Sequence, residues 1–398
     1  MKNSGCKIYN NDQAVLTRTA KKLQVNLLLS ILQQIPGEDP LQNIVAYLFS
    51  FLLMAVFFLF YNRIQMTMWL REIEGALGRL KIMRDEARRV AIKTISDVGK
   101  PENEIDKKVD RILDYFQIAP VDLDPSGIVW KLEHMIDVRD DRWKEDVQTM
   151  APKADKAQVN NLENLLEVAS GLNLLYRIVR HYYLFGKKMS SFYIIMQLQM
   201  LLPLVMQEAD ALTGALNAFA KGQPIGDGAG ALVAAKLMYG KRKRAIAKDV
   251  TSVDFKLDGR RLLVLKAEGP GGNVGRPGDA IEKLMEENTG KISLVIMVDA
   301  ALKLEGENTG EVAEGIGAAI GGIGVERYKI EEVALKYKVP LNAVIIRMSI
   351  QEAIAPMKKE VAEGVDVALA RVKQLIQERT GKGDTIVVAG IGNTIGIQ

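Results

Sequence analysis

The 398-residue chain has few of the side chains that build disulfide frameworks and transition-metal sites. It contains one cysteine, Cys6, and two histidines, His134 and His181. A single cysteine excludes an internal disulfide and a zinc site made of cysteines, and two histidines exclude a polyhistidine metal centre. The formal net charge is only +4. A dedicated nucleic-acid binder concentrates far more positive charge, so we expect no nucleic-acid partner.

Glycine is scarce in the first part of the chain and frequent in the second. Of 34 glycines, 9 fall within residues 1–220 and 25 within residues 221–398. Glycine weakens helix interiors and supplies the backbone conformations of tight turns. This contrast predicts a helical first part and a second part rich in strands and turns.

An uncharged apolar run near the N-terminus has the length of a membrane span. Ile44–Tyr61 is 18 residues long and rich in Phe and Leu, which meets the lower limit for a transmembrane helix. Residues 24–43 contain no Lys or Arg, whereas residues 62–81 contain four. Because positive charge stays inside, we expect a single-pass protein of the cell membrane, with the bilayer as a partner and its C-terminal part in the cytoplasm. Residues 1–43 form an N-terminal segment, in which the run 14–34 is an additional helix candidate.

Residues 62–220 carry the pattern of a helical stalk and helical domain. Trp69, Ile73, Leu77, Leu80 and Met83 recur at steps of three and four, which predicts one long helix that ends at Lys100-Pro101. The stripe suits either a short coiled-coil seam between copies of the chain or packing on the same chain. Further helices are expected at three places, residues 106–116, 125–136 and 155–185.

A second uncharged run, Met189–Gln207, has 19 residues. Its glutamines are costly in lipid and Pro203 interrupts it. We therefore expect a buried helix here, with a membrane or re-entrant segment as the alternative.

Residues 221–398 alternate between apolar strands and helices. The expected strands are short runs that are apolar on both faces, namely 261–266, 292–298, 343–348 and 385–389. The expected helices between them are 231–239, 279–287, 330–337 and 350–379. This order predicts an α/β domain with a mostly parallel sheet and helices on both faces.

Three short motifs in this domain resemble parts of a known superfamily. They are the acidic turn and helix that begin at Gly226-Asp227-Gly228, the apolar strand that ends in Asp299-Ala300, and the segment Gly390-Ile391-Gly392-Asn393. Together they resemble the hydrogenase-maturation endopeptidase and spore germination protease superfamily. There the Gly-Ile-Gly-Asn strand directly precedes the acidic turn, so the rotated order here implies a circular permutation. With the anchor and His181-Tyr182-Tyr183, the whole chain also resembles an archaeal family of membrane-anchored proteins without assigned function.

The resemblance implies that Asp227, Asp299 and Asn393 meet at the carboxyl ends of central strands, where open α/β sheets bind ligands. Two carboxylates there can hold a divalent metal ion through oxygen, or share a proton and act as acid and base on water. Asn393 would orient a substrate carbonyl. In the hydrogenase-processing relatives a histidine completes the metal ligands, and residues 221–398 contain none. A purely structural role is the alternative: Asp227 as a helix cap, Asp299 at a turn and Asn393 in a left-handed conformation.

A glycine-rich loop offers a second candidate site. Gly271, Gly272, Gly275 and Arg276 precede an expected helix, and backbone N–H groups with an arginine can bind the phosphate or carboxylate of a cofactor or ligand. The spacing is not that of a P-loop, so a plain loop is the alternative. The small apolar segment 315–324 predicts close helix packing or subunit contact.

These observations favour a membrane-anchored cytoplasmic protein with a peptidase-like hydrolase activity on a protein or peptide, carried by Asp227 and Asp299. The alternative is a non-catalytic oligomeric scaffold or a module that senses a small ligand, assembled as a homo-oligomer through the stalk and helical region.

Overall fold

The structure is a computed structural model that describes residues 40–100, 105–116, 118, 120, 127–288, 291–322 and 324–398. The candidate helix within residues 14–34 and Cys6 lie outside these ranges. The chain divides into two compact units, Met1–Leu70 and Arg71–Gln398.

The first unit, where it is described, is the beginning of helix α1 (Pro40–Gly99). Large apolar side chains in this part of α1 are exposed, among them Tyr47, Phe51 and Leu52. Two helical segments of the described chain, Ile44–Gly99 and Phe192–Lys221, are long and apolar enough to cross a membrane by length and composition. The expected apolar helix over residues 44–61 is therefore present.

The second unit begins with a helical region. Its elements are the rest of α1, α2 (Ile105–Leu113), α3 (Ile128–Met150), α4 (Lys156–Met189) and α5 (Phe192–Lys221). Helix α1 ends at Gly99, one residue before Lys100-Pro101, as predicted. Its buried side chains within this unit recur at steps of three, four and seven: Ile73, Ala76, Leu80, Ala87, Ala91 and Ile95. The stripe thus packs on the same chain.

Helices α4 and α5 form an antiparallel hairpin with well-defined ends. Asp155 begins α4 with a capping box, in which its side chain accepts from the Gln158 N–H. Ser190 ends α4 in the left-handed conformation, and Ser191 caps α5. The predicted single run Met189–Gln207 is therefore the end of α4, a tight turn and the first half of α5. One face of this half is buried and the other is exposed.

The α/β domain contains a seven-stranded sheet with the strand order β1-β2-β3-β7-β4-β6-β5. The strands are β1 (Arg244–Ala247), β2 (Val250–Leu257), β3 (Arg260–Ala267), β4 (Ile292–Leu302), β5 (Val312–Ile316), β6 (Leu341–Met348) and β7 (Thr385–Gly390). The central strands β3, β7, β4 and β6 are parallel to one another. The pairs β1–β2, β2–β3 and β5–β6 are antiparallel. The sheet is therefore mixed, and its parallel centre consists of the four strands expected from their apolar runs.

Helices cover both faces of this sheet. Helices α6 (Ala229–Met238) and α10 (Lys359–Arg379) lie on one face, and α7 (Pro277–Glu287) and α8 (Val325–Tyr337) lie on the other. The helix expected over residues 350–379 is two helices, α9 (Ile350–Ile354) and α10. Pro356 lies between them and interrupts the helix, because proline has no backbone N–H to donate. It forms an isolated antiparallel bridge with Ile225.

The segment after β7 packs on the 3-10 turn Gly226–Gly228, which leads into α6. A Cβ atom at Gly392 would collide with the carbonyl oxygen of Asp227. Gly392 itself has φ +120°, a conformation that favours glycine. The turn, α6 and β7 are thus adjacent in space although they are far apart in the chain.

Candidate active site

A cavity of about 610 Å³ lies between helices α3 and α4 and the carboxyl ends of β4 and β7. Asp227, Asp299 and Asn393 all line it, so the structure brings together the three residues expected to converge. The remaining wall comes from polar residues of α3 and α4, the glycine-rich loop and the segment after β5. The cavity size is in the range of small-molecule sites.

Asp227 lies in the 3-10 turn and is half-buried. Its Oδ2 accepts a hydrogen bond of 2.8 Å from the backbone N–H of Asn393. Burial raises the pKa of Asp227, and this hydrogen bond partly opposes the rise. No side chain caps helix α6 at Gly228, so the alternative that Asp227 caps this helix is wrong.

Asp299 lies in β4 and is 7% exposed. Its Oδ1 accepts a hydrogen bond of 2.8 Å from the Ala300 N–H, and the Gly321 N–H donates to the same carboxyl group. Burial first, and then the charge of Asp227, raise the pKa of Asp299 well above its usual value. The two carboxyl groups are thus electrostatically coupled, which favours a state in which one of them is protonated.

Asn393 connects the two parts of the second unit. Its Nδ2 donates to Asn164 Oδ1 on α4 at 2.9 Å, and its Oδ1 accepts from the Ile395 N–H at 3.0 Å. The left-handed residue of this loop is Gly392 rather than Asn393, so that structural alternative is wrong. The carbonyl-orienting role of Asn393 stays a prediction.

Helix α4 contributes a polar wall that the sequence patterns did not reveal as part of a site. Asn160, Glu163, Asn164 and Glu167 all line the cavity. Burial raises the pKa of Glu163 to about 7. Glu163 Oε1 is buried without a hydrogen-bond partner among the described residues. The available signal was the recurrence of these polar residues at helical spacing beside an apolar stripe.

The glycine-rich loop contributes Gly272, Gly275 and Arg276 to the cavity. The Gly272 N–H donates to Asn161 Oδ1 at 2.9 Å, and its carbonyl accepts from Asn164 Nδ2 at 2.7 Å. Gly271 packs against α4 instead. The guanidinium of Arg276 is ion-paired with three carboxylates, those of Asp137, Asp140 and Glu326. Its charge is therefore balanced within the protein, and binding of an anionic cofactor by this loop stays a prediction.

The small apolar segment 315–324, where it is described, forms the end of β5 and a loop, and its Ala318 is buried in a core cluster with residues of α7 and α8. Ile320, Gly321 and Gly322 line the cavity, and the Gly321 N–H donates to Asp299. The small residues let the backbone approach the buried carboxyl group, and subunit contact through this segment stays a prediction.

The donor chemistry is unfavourable for a resident metal ion at Asp227 and Asp299. Among the described residues, no group of three or more His, Cys, Asp or Glu is placed to hold one.

Fold and site together define a two-part protein, in which a helical region and an α/β domain enclose one acidic cavity. The family model for the N-terminal domain of DUF1512, a protein of unknown function, matches residues 47–222. The model for the DUF1512 C-terminal domain of unknown function matches residues 225–398. The chain therefore belongs to the DUF1512 family. No match to it is found among the curated proteins or among the solved structures.

Proposed function

We propose that this protein is a hydrolase that cleaves amide bonds of a peptide with the Asp227–Asp299 pair. One observation carries the proposal: two carboxyl groups from separate elements line one cavity, have raised pKa values and are coupled to each other. Raised and coupled carboxyl groups in a cleft are typical of general acid–base catalysis. The resemblance to peptidase motifs supports the same reaction class.

The environments of the two carboxyl groups suggest different roles. The Asn393 N–H stabilises the ionised form of Asp227, whose carboxylate therefore takes the proton of a water molecule. The water oxygen adds to the amide carbonyl carbon. Asp299, held protonated, donates its proton to the amide nitrogen as the C–N bond breaks. A carboxylic acid and an amine leave, and the proton taken by Asp227 returns to Asp299.

The test is peptide cleavage by the full chain in nanodiscs, followed by mass spectrometry on a mixture of short peptides. We expect Asp299→Asn and Asp227→Asn each to lower the cleavage rate by about 100-fold or more, the range found for removal of an acid or base catalyst. Asp97→Asn, on the exposed part of α1, is the matched control and should retain the rate. Equal rates in Asp299→Asn and the parent chain, or no cleavage by the parent chain, would contradict the proposal.

A small-ligand sensor is the second candidate, because the cavity is lined by both the helical region and the α/β domain. The Asn164–Asn393 hydrogen bond connects these two parts at the cavity. Glu163 Oε1, which has no hydrogen-bond partner among the described residues, supports this candidate, since a ligand could donate a hydrogen bond to it. In a sensor, a ligand would raise the melting temperature of Asp299→Asn and of the parent chain alike, without turnover. A non-catalytic homo-oligomeric scaffold predicts a defined oligomer by native mass spectrometry and no ligand-induced shift.

We also propose that residues 44–61 anchor the protein in the cell membrane with the α/β domain in the cytoplasm. The exposed apolar side chains of α1 and the arginines and lysine that follow support this. Protease added outside sealed cells should leave the α/β domain intact, and protease added to inverted vesicles should degrade it. The reverse pattern would overturn the orientation.

The α/β domain is, in our proposal, circularly permuted relative to the superfamily it resembles. The contact of the segment after β7 with the 3-10 turn supports this, as does the hydrogen bond between Asn393 and Asp227. In a chain re-ordered so that Gln398 leads directly into Pro224, with new ends in the loop after β4, the domain should still fold cooperatively. Loss of the cooperative transition would contradict the permutation.

A further inference from the structure

The turn between helices α4 and α5 carries an exposed apolar and basic surface that the proposed hydrolysis does not use. We name it the hairpin surface and define it by its exposed apolar side chains, which are 43–67% exposed: Tyr182, Phe185, Met189, Tyr193, Met200 and Leu204. Exposed apolar patches on otherwise polar proteins mark contacts with proteins or membranes.

The charge on this hairpin has one sign. Between Glu167 and Glu208 the chain contains no acidic residue. The basic residues in that interval are Arg177, Arg180, Lys187 and Lys188, and all four are exposed. Among the described contacts, acidic groups from neighbouring elements reach the hairpin where Asp114 pairs with Arg177 and where Glu72 accepts from Gln199. Asp85 and Asp110 also line the groove beside Lys188. Lys187 and Lys188 beside the turn carry no such ion pair among the described contacts, so a net positive charge faces outward there.

The hairpin is unsuited to crossing a bilayer. Ile195, Leu198 and Leu202 on the other face of α5 are buried within the protein, and the second half of α5 enters the core. A spanning helix would instead present its apolar face to lipid along its whole length. Tyrosines at the exposed end and lysines beside them are the composition of a membrane–water interface.

We propose that the hairpin surface docks on an anionic lipid bilayer, with its apolar side chains in the headgroup region and its lysines against lipid phosphates. This contact is separate from the anchor at residues 44–61 and holds the second unit against the membrane. Because apolar burial and charge attraction both contribute, the docking depends on anionic lipid.

The test places an environment-sensitive fluorophore on the full chain in proteoliposomes. Cys6→Ser removes the native thiol, and Tyr193→Cys attaches the fluorophore to the hairpin surface. Leu335→Cys, 79% exposed on α8, is the control site. Vesicles contain phosphatidylcholine with or without phosphatidylglycerol, and lipids carry a quencher either near the headgroup or deep in the acyl chains.

In anionic vesicles we expect the headgroup quencher to reduce emission at position 193 several-fold more than at position 335. Lys187→Glu with Lys188→Glu should remove most of this preference, because each basic residue near an anionic surface strengthens binding about fivefold. Lys187→Gln with Lys188→Gln should give an intermediate loss. The matched reversal Lys241→Glu with Lys243→Glu, in the α/β domain, should leave the preference unchanged.

Three results would overturn the proposal. Equal quenching at positions 193 and 335 would mean that the hairpin surface faces water. Strong quenching by the deep quencher that ignores the charge reversals would mean a membrane-embedded segment. A concentration-dependent loss of emission at position 193 in detergent without anionic lipid would mean that a second copy of the chain covers the surface.

Discussion

The two walls of the cavity hold their carboxyl groups in different ways. On the α/β side, backbone N–H groups fix Asp227 and Asp299. On the helical side, Glu163 and Glu167 project from α4, and Glu163 Oε1 has no partner among the described residues. The backbone thus holds the two carboxyl groups of the α/β wall in place, whereas no hydrogen bond of the described residues holds Glu163 Oε1 in the helical wall.

Two helix glycines, one from each region, have different surroundings. A Cβ atom at Gly230 on α6 would collide with the carbonyl oxygens of Val298 and Ile391. At Gly214 on α5 the same atom would meet nothing within 4 Å. Gly230 therefore permits close backbone packing beneath the site, while Gly214 has open space beside it.

The largest effect is expected from Gly230→Ala. The added methyl group must displace backbone atoms of β4 and of the segment after β7, so we expect a loss of about 3 kcal/mol in the free energy of unfolding. Gly214→Ala is the matched control and should gain about 0.5–1 kcal/mol, because alanine is the better helix former. Urea unfolding followed by circular dichroism measures both. Equal changes in the free energy of unfolding would contradict the difference in packing between Gly230 and Gly214.

Glu163→Gln tests the helical wall of the cavity through the pH dependence of the free energy of unfolding. The pKa of Glu163 is about 7 in the folded state against an ordinary value near 4.5, so the folded chain holds the proton more tightly. The contribution of Glu163 to stability is therefore highest below about pH 4.5, falls as the pH rises to 7 and is constant above pH 7. Glutamine removes this loss. Relative to the parent chain, we expect a gain of about 1–2 kcal/mol at pH 8 after allowance for solvent in the cavity, and none at pH 4.5.

The pH-dependent gain is measured by thermal unfolding across this pH range. Asp258→Asn, in an exposed turn of the α/β domain, is the comparison variant. A gain at pH 8 that persists at pH 4.5 would show that the glutamate is not the titrating group.

Thr394→Val tests how firmly the α/β wall is held. Thr394 is fully buried, and its Oγ1 lies 2.9 Å from the carbonyl oxygens of Glu268 and Gly271. Loss of this buried donor should destabilise the fold by about 1–2 kcal/mol. Thr213→Val on α5, where the hydroxyl donates to the Ala209 carbonyl of its own helix, should change stability by less than about 0.5 kcal/mol. Similar losses in both variants would contradict a special role of the Thr394 donor.

The smallest effect concerns the bond between the walls. A double-mutant cycle with Asn164→Ala and Asn393→Ala should give a coupling free energy of about 0.5–1.5 kcal/mol, typical of one hydrogen bond. Strict additivity would mean that the two walls are energetically independent.

The four central strands could be predicted from sequence because a strand buried on both faces is a continuous apolar run. The three outer strands were missed. Strand β2 alternates buried and exposed residues such as Val253 and Asp254, and β5 contains Glu314 and Gly315. Half-exposed strands of this kind differ little from loops in composition.

The site could be predicted only on its α/β side. The resemblance to the peptidase superfamily implied that Asp227, Asp299 and Asn393 would meet at the carboxyl ends of central strands, where open α/β sheets bind ligands. The wall from α4 could not be anticipated in this way. A polar helical stripe such as Asn160 and Glu167 has the same spacing whether it faces solvent or a cavity, and only tertiary packing decides between them.

Strand β7 is the last of the seven strands to be synthesised, yet it lies at the middle of the sheet. Until it leaves the ribosome, the nascent chain holds two half-sheets, β1-β2-β3 and β4-β6-β5, whose inner edges expose unpaired backbone groups. The helical region has by then already been made. The complete sheet is therefore expected to form only after β7 has left the ribosome. A prematurely terminated chain would keep those unpaired strand edges exposed and become a substrate for cellular quality control.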